Sequence, residues 1–258
     1  MEQDYIPYHA ETNLPKANVL ILAPHPDDEI FGCGGAIMRH LAQGDSVSVI
    51  IATDGHAAIH HIDEIAKQDY IATRHQESRN AAHVLGYHEI QFWDFSDREL
   101  SHNKSTVQLA VQAIQNLQAT LIYAPSIFEI HPDHFSLANI AVDAVIATQT
   151  TLMMYEIGVP LRPNFLLDIT DLKARKRQAM ECFSSQIQLN DYIEIIESLN
   201  IYRTYTLPSN VKVAEGFYQI SGEMLKQFPP LRFGKTYQTT LQMQRKSLFQ
   251  YLLDYFKR

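Results

Sequence analysis

Two short stretches hold the side chains best suited to chemistry. In "APHPDDEIFGCGG" (23–35), an imidazole, His25, is followed by three carboxylates, Asp27, Asp28 and Glu29. In "IFEIHPDH" (127–134), His131 and His134 flank Pro132 and Asp133. Crowded acids repel one another and raise each other's pKa values, so the first stretch calls for a positive charge. Two imidazoles and one carboxylate make a catalytic type of zinc set, with one coordination position left for water. Such an ion lowers the pKa of a bound water to about 7. A further carboxylate beside that water can take its proton. The crowded acids then have separate roles, with one on the metal, one acting as base, and one turned away or holding the backbone. Iron(II) or manganese(II) accepts the same donors as zinc.

These residues act together only if the chain carries them to one place. "NVLILA" (18–23) is a β-branched run suited to a strand buried on both faces. "GGAIMRHLAQG" follows with helical spacing and ends at Gly44; "SVSVIIATDG" (46–55) is the next strand. A helix over 70–86, a strand over 89–93, a helix over 105–118 with Ser105 as N-cap, a strand over 119–126 and a helix over 132–149 continue the alternation. Strands at 151–158 and 164–169 and helices at 171–185 and 191–205 complete it. Alternation of this kind predicts right-handed βαβ units in an α/β fold, a Rossmann-like open and mostly parallel sheet with helices on both faces. In such sheets ligands bind outside the carboxyl ends of the strands. Both clusters follow strands and so fall on one rim. Pro132 suits the first helical position, which places His134 in the first turn and His131 just outside it.

Composition sets the outer limits. The 258 residues are 46% hydrophobic and 19% charged, with a net charge of −8 and no Lys/Arg block, which argues against a nucleic-acid partner. Two cysteines, Cys33 and Cys182, are too few for a disulfide framework. The N-terminus lacks a secretory pattern and no apolar run reaches a membrane span, so the expected location is cytoplasmic. With no linker or repeat, we read one domain over 1–258, its core at about 17–220 and a helical tail at about 240–258. That tail is amphipathic. It is expected to dock on its own domain or on a second copy in a homo-oligomer, with a membrane surface as the weaker alternative.

At this point "APHPDDEIFGCGG" and "HPDH" together resemble the two metal motifs of the LmbE-like, or PIG-L, family of zinc-dependent N-acetylglucosamine de-N-acetylases. "RHQESRNAAHVLG" (74–86), Asp94 and "KRQAMECFSSQ" (176–186) extend the resemblance over roughly residues 17–220. The resemblance implies metal ligation by His25, Asp28 and His134, a base in Asp27, and an imidazole in His131 that stabilises an oxyanion or passes a proton. It also implies that Arg74 and Asp94 hold the sugar and that Glu29 is structural. The substrate would be an N-acetylated amino sugar conjugate. Some family members carry a tyrosine two residues before the first His of the second motif; here that place holds Glu129, and Tyr155 is a remote substitute. His56, His60 and His61 read as loop residues, Asp54-Gly55 as a turn, Cys33 as a small packing residue, and Lys173, Arg175, Lys176 and Arg177 as a solvated helix face.

Overall fold

The computed structural model describes residues 2, 6–58 and 63–227. The tail helix expected near 240–258 lies outside the described residues, as do His60 and His61. The chain runs β1 (Asn18–Ala23), α1 (Asp28–Ala42), β2 (Ser46–Thr53), α2 (Glu64–Leu85), β3 (Glu89–Phe95), α3 (Lys104–Asn116), β4 (Leu121–Pro125) and α4 (Pro132–Thr148). It continues through β5 (Thr151–Tyr155), β6 (Phe165–Asp168), α5 (Lys173–Met180), α6 (Ser184–Ile187), α7 (Tyr192–Tyr202), β7 (Ala214–Ser221) and α8 (Gly222–Gln227).

The strands form one seven-stranded sheet in the order β3-β2-β1-β4-β5-β7-β6. The first five are parallel, and β7 runs antiparallel to both β5 and β6. Side chains of β1 alternate between two apolar layers. Val19, Ile21 and Ala23 join α1, α2, α5 and α7 on one face; Leu20 and Leu22 join α3 and α4 on the other. That period of two explains why "NVLILA" is apolar throughout. The strand order reverses between β1 and β4, so a crevice opens there at the carboxyl ends. Both chemical clusters leave the sheet at this crevice.

Several boundaries differ from the sequence reading, each for a local reason. α1 starts at Asp28 and is kinked at Cys33 (φ −142°, ψ 24°), so the expected "GGAIMRHLAQG" helix is only its second part. Across the kink, Glu215 accepts the N–H groups of Gly35 (2.7 Å) and Ala36 (2.9 Å). Lys176 Nζ donates to Glu215 Oε1 (2.7 Å), the Phe31 carbonyl (2.9 Å) and Asn200 Oδ1 (3.2 Å). Lys176 is therefore buried and ion-paired, not part of a solvated face. The glycines here permit close approach: a Cβ on Gly32 would lie 2.3 Å from the Tyr155 ring, and one on Gly35 2.4 Å from Ile169. α2 starts at Glu64, with Asp63 accepting the Ala66 N–H. α3 is capped by Asn103 rather than Ser105, since Asn103 Oδ1 takes the N–H groups of both Ser105 and Thr106. β7 escaped the sequence reading because a buried glutamate and a glycine interrupt its apolar pattern.

Candidate active site and metal centre

β1 ends on Ala23, and the Pro24 carbonyl is pinned to β2 by the backbone N–H (2.9 Å) and hydroxyl (2.8 Å) of Thr53. The next residues turn sharply into α1. Asp27 sits at φ 144°, a conformation that favours glycine and costs about 1–3 kcal/mol in other residues. Its N–H donates to Glu29 Oε2 (3.0 Å), and its carbonyl accepts from Ile30 and Phe31. Glu29 is fully buried and holds the turn. Arg74 adds three clamps: Nη1 to the Gly55 carbonyl (2.9 Å), and Nη2 to the Pro26 carbonyl (2.6 Å) and Asp27 Oδ2 (3.1 Å). Gly55, at φ 63°, makes room, since a Cβ there would lie 2.9 Å from the guanidinium.

From the other side of the crevice, α4 brings His131 as its N-cap, Pro132 as its first residue, and His134 in the first turn. His25 Nδ1, Asp28 Oδ2 and His134 Nε2 then meet in a triangle with all three sides 3.2 Å. A tetrahedral zinc ion with bonds of about 2.0–2.1 Å needs donors roughly 3.3 Å apart. The donor set therefore fits a divalent metal in both chemistry and spacing. The remote ring nitrogens face carboxylates, as metal-bound histidines usually do. His25 Nε2 is 3.2 Å from Asp133 Oδ2 and 3.4 Å from Asp97 Oδ1, and His134 Nδ1 is 3.4 Å from Glu129 Oε2. The ring nitrogens of His25, His131 and His134 also lie within 4.8 Å of one another.

Electrostatics separates these groups. Burial disfavours the charged imidazole of His134, but Asp28 overrides it and carries His134 up to about 9. Asp28 is correspondingly held well below the usual carboxylate range: burial works against its charge, and His134 and His25 prevail. Burial pushes Asp27 up to about 7, with Arg74 opposing and Asp28 adding to the rise. Burial, reinforced by Asp27, pushes Glu29 to about 8. His131 is lowered to about 4 by burial and the two neighbouring imidazoles. Its Nδ1 accepts the Asp133 N–H at 3.3 Å, so the neutral ring carries its hydrogen on Nε2.

His25, Asp27, Asp28, His131 and His134 line a cavity of about 290 Å³. Its lining also includes the apolar Phe31, Ile130, Ile157 and Tyr192, with Arg98 and Gln186 as further polar groups. Asp94 does not reach it. That residue is the sixth of the seven in β3, at φ 54°, is 62% exposed in its side chain and faces His75 at 3.3 Å. Asp97, three residues on, lines the cavity instead. Tyr155 is buried, and its hydroxyl donates to the Leu22 carbonyl (2.9 Å) beneath the site. Glu129 accepts backbone N–H groups from Ile157, Gly158 and Val159 and so steadies the loop after β5. Asp54 does more than turn the chain: Oδ1 accepts from Asp97 N–H and bonds His56 Nδ1. The sequence reading missed Asp97, Asp133 and Gln186; for Asp133 and Gln186 the signal was their place inside the motifs "HPDH" and "KRQAMECFSSQ".

Residues 20–145 match the family described as PIG-L, GlcNAc-PI de-N-acetylase. A diacetylchitobiose deacetylase of Thermococcus kodakarensis is 27% identical over 80% of this chain and 84% of its own. A 4-oxalmesaconate hydratase of Pseudomonas putida is 23% identical over 81% of this chain and 91% of its own. The solved structure of N,N'-diacetylchitobiose deacetylase from Pyrococcus horikoshii, complexed with its inhibitor MPG, superposes with a TM-score of 0.71. It is 24% identical, covering 81% of this chain and 85% of that one, and so supports the fold. The PIG-L match contains both metal motifs, Arg74 and Asp97; Gln186 and Tyr192 close the cavity from outside it. Among the described residues, no helix is long and apolar enough to cross a membrane.

Proposed function

We propose that this protein is a metal-dependent hydrolase, with zinc as the favoured ion, that removes the acetyl group from an N-acetylated amino sugar of the GlcNAc type within a conjugate. The observation that carries this reading is the 3.2 Å triangle of His25, Asp28 and His134, with Asp27 and His131 facing the same cavity. When bound, a divalent ion supplies Lewis-acid polarisation of the amide carbonyl and a more acidic water.

The chain's own residues do the rest. Asp27 is the base: its carboxylate faces the cavity, and Arg74 and Glu29 hold its strained turn in one orientation. His131, neutral and carrying its hydrogen on Nε2, donates to the oxygen on which charge develops. Asp27 takes a proton from a water whose oxygen bonds to the carbonyl carbon, and that proton returns to the amide nitrogen as the C–N bond breaks, leaving acetic acid, which ionises, and a free amine. Glu129 takes no part as an acid, because its oxygens are committed to backbone N–H groups and to the His134 side. Arg74 acts through Asp27 rather than as a free sugar clamp. The test is acetate release from a panel of GlcNAc conjugates by purified protein loaded with zinc, iron(II) or manganese(II). No release with any metal and conjugate overturns the reading.

The hydratase among the relatives motivates a second reading, metal-assisted addition of water to 4-oxalmesaconate. A polyanionic acid calls for several cationic contacts. The cavity offers Arg98 and an Arg74 already bonded to Asp27 and two carbonyls, which favours the uncharged acetamide. Incubation of the metal-loaded protein with that acid, followed by its ultraviolet absorbance, decides between them.

A further inference from the structure

Two motifs singled out in the sequence, Glu77 on α2 and "SSQ" on α6, have no part in the chemistry above. They meet beside Gln186, which lines the cavity. Glu77 is buried, and both of its carboxylate oxygens accept hydrogen bonds. Its Oε1 takes the Ser184 hydroxyl (2.9 Å) and the Ser185 N–H (2.8 Å), and its Oε2 takes the Ser185 hydroxyl (2.6 Å). The single hydroxyl hydrogen of Ser185 is thereby fixed on Glu77, which leaves Ser185 Oγ as an acceptor. Gln186 Nε2 donates to that oxygen (3.2 Å) and to the Tyr70 hydroxyl oxygen (2.7 Å). Both amide hydrogens of Gln186 are therefore taken on the protein side. Its amide cannot flip without setting its carbonyl oxygen against Ser185 Oγ, which has no hydrogen left to give. Gln186 is buried and lines the cavity.

We propose that Gln186 is a substrate-contacting, specificity-determining residue: its side-chain carbonyl, oriented by the Glu77–Ser185 relay, accepts a hydrogen bond from a hydroxyl group of the bound sugar. The polarity of the wall is the point. A ligand group there must donate, which selects a hydroxyl and disfavours a carboxylate, a phosphate or an ether oxygen. A buried acceptor left without its donor is costly, so a substrate lacking that hydroxyl is discriminated against. This inference rests on the amino-sugar deacetylase reading and deepens it.

The experiment uses the metal-loaded full-length chain, the methyl glycoside of GlcNAc, and its 3-deoxy, 4-deoxy and 6-deoxy analogues, with acetate release as readout. In the wild type, one deoxy analogue is expected to lose about tenfold in kcat/KM. Gln186→Leu is expected to lose a similar factor on the parent glycoside and to show no further loss on that one analogue, at unchanged metal content. Ser185→Ala keeps Gln186 but frees one of its N–H groups, and should shrink the gap between the parent and the sensitive analogue. If the Gln186→Leu and deoxy losses multiply at all three positions, or if no deoxy analogue is penalised in the wild type, the assignment is overturned while deacetylation stands. Should Gln186→Leu fail to fold, an unchanged parent-to-analogue gap in Ser185→Ala overturns it instead. Absence of acetate release from the parent and from every other GlcNAc conjugate overturns the deacetylase reading, and the role of Gln186 with it.

Discussion

Two clusters of buried charge lie close together along α1, and they are built on opposite plans. Around Lys176 every charge is answered by the chain: the ammonium has three acceptors, and Glu215 receives the lysine and two backbone N–H groups. The pair is inserted into the kink of α1, with the cation at a carbonyl of the first segment and the anion at the N–H groups of the second. Each charge thus sits where the helix's own partial charges favour it. At the crevice the plan is reversed. Three donor atoms converge at 3.2 Å, and Asp27, Asp97 and Asp133 add further negative charge. The nearby guanidinium of Arg74 reaches only Asp27 among these acids. A cluster whose members are spread over separate backbone and side-chain partners serves folding, whereas one whose donor atoms converge on a single point fits a ligand.

The sharpest way to break this comparison is to remove a donor from the open cluster. His134→Ala is expected to abolish both metal binding and acetate release with little change in folding. Asp27→Asn, which keeps the size and shape of the side chain, should retain the metal and lose turnover by about 10²–10⁴. Metal content by elemental analysis, measured beside kcat, separates the two. Metal loss in Asp27→Asn with retention in Asp28→Asn would mean that the two acids have exchanged roles.

The closed cluster should respond in stability instead. Lys176→Met leaves Glu215 buried without its cation, at a cost of about 3–5 kcal/mol, or roughly 10 °C in Tm. Adding Glu215→Gln should recover part of that loss. Thermal melts of both variants, with metal content unchanged, check this. A smaller effect is expected behind the metal. Glu129→Gln sets an NH2 group near either backbone donors or His134 and should weaken metal affinity about 10–100-fold, read by competition with a chelator. Smallest of all is Asp94→Ala. The side chain is exposed and pairs with His75, so kcat/KM should move by less than about twofold. A tenfold loss there would restore Asp94 as a sugar contact.

Much of the site was readable because it is local. His25, Asp27 and Asp28 share one turn, and Pro132 fixes the helix start that presents His131 and His134, so spacing placed both clusters on one rim, while the resemblance supplied the role of each residue. The supporting residues were less legible. Whether Asp94 or Asp97 reaches the crevice depends on where β3 stops and on the left-handed conformation at Asp94, neither of which the residue types announce. Glu129 stands where a tyrosine acid is found in some family members. Its actual work, bracing residues 157–159 and facing His134, requires a loop that arrives only after β5.

By itself the sequence determined the alternation of strands and helices, the rim on which the chemistry falls, and the donor types suited to a divalent ion. Those properties follow from periodicity and from residues adjacent in the chain. Tertiary structure alone decided that Lys176 is a buried splice in α1, that Arg74 bonds Asp27 and two backbone carbonyls, and that Gln186 lines the cavity with its amide nitrogen held by Tyr70 and Ser185. Each of these depends on partners from 19 to 145 residues away. A side chain's hydrogen-bonding direction is set by whichever groups close around it, and only folding brings those groups together.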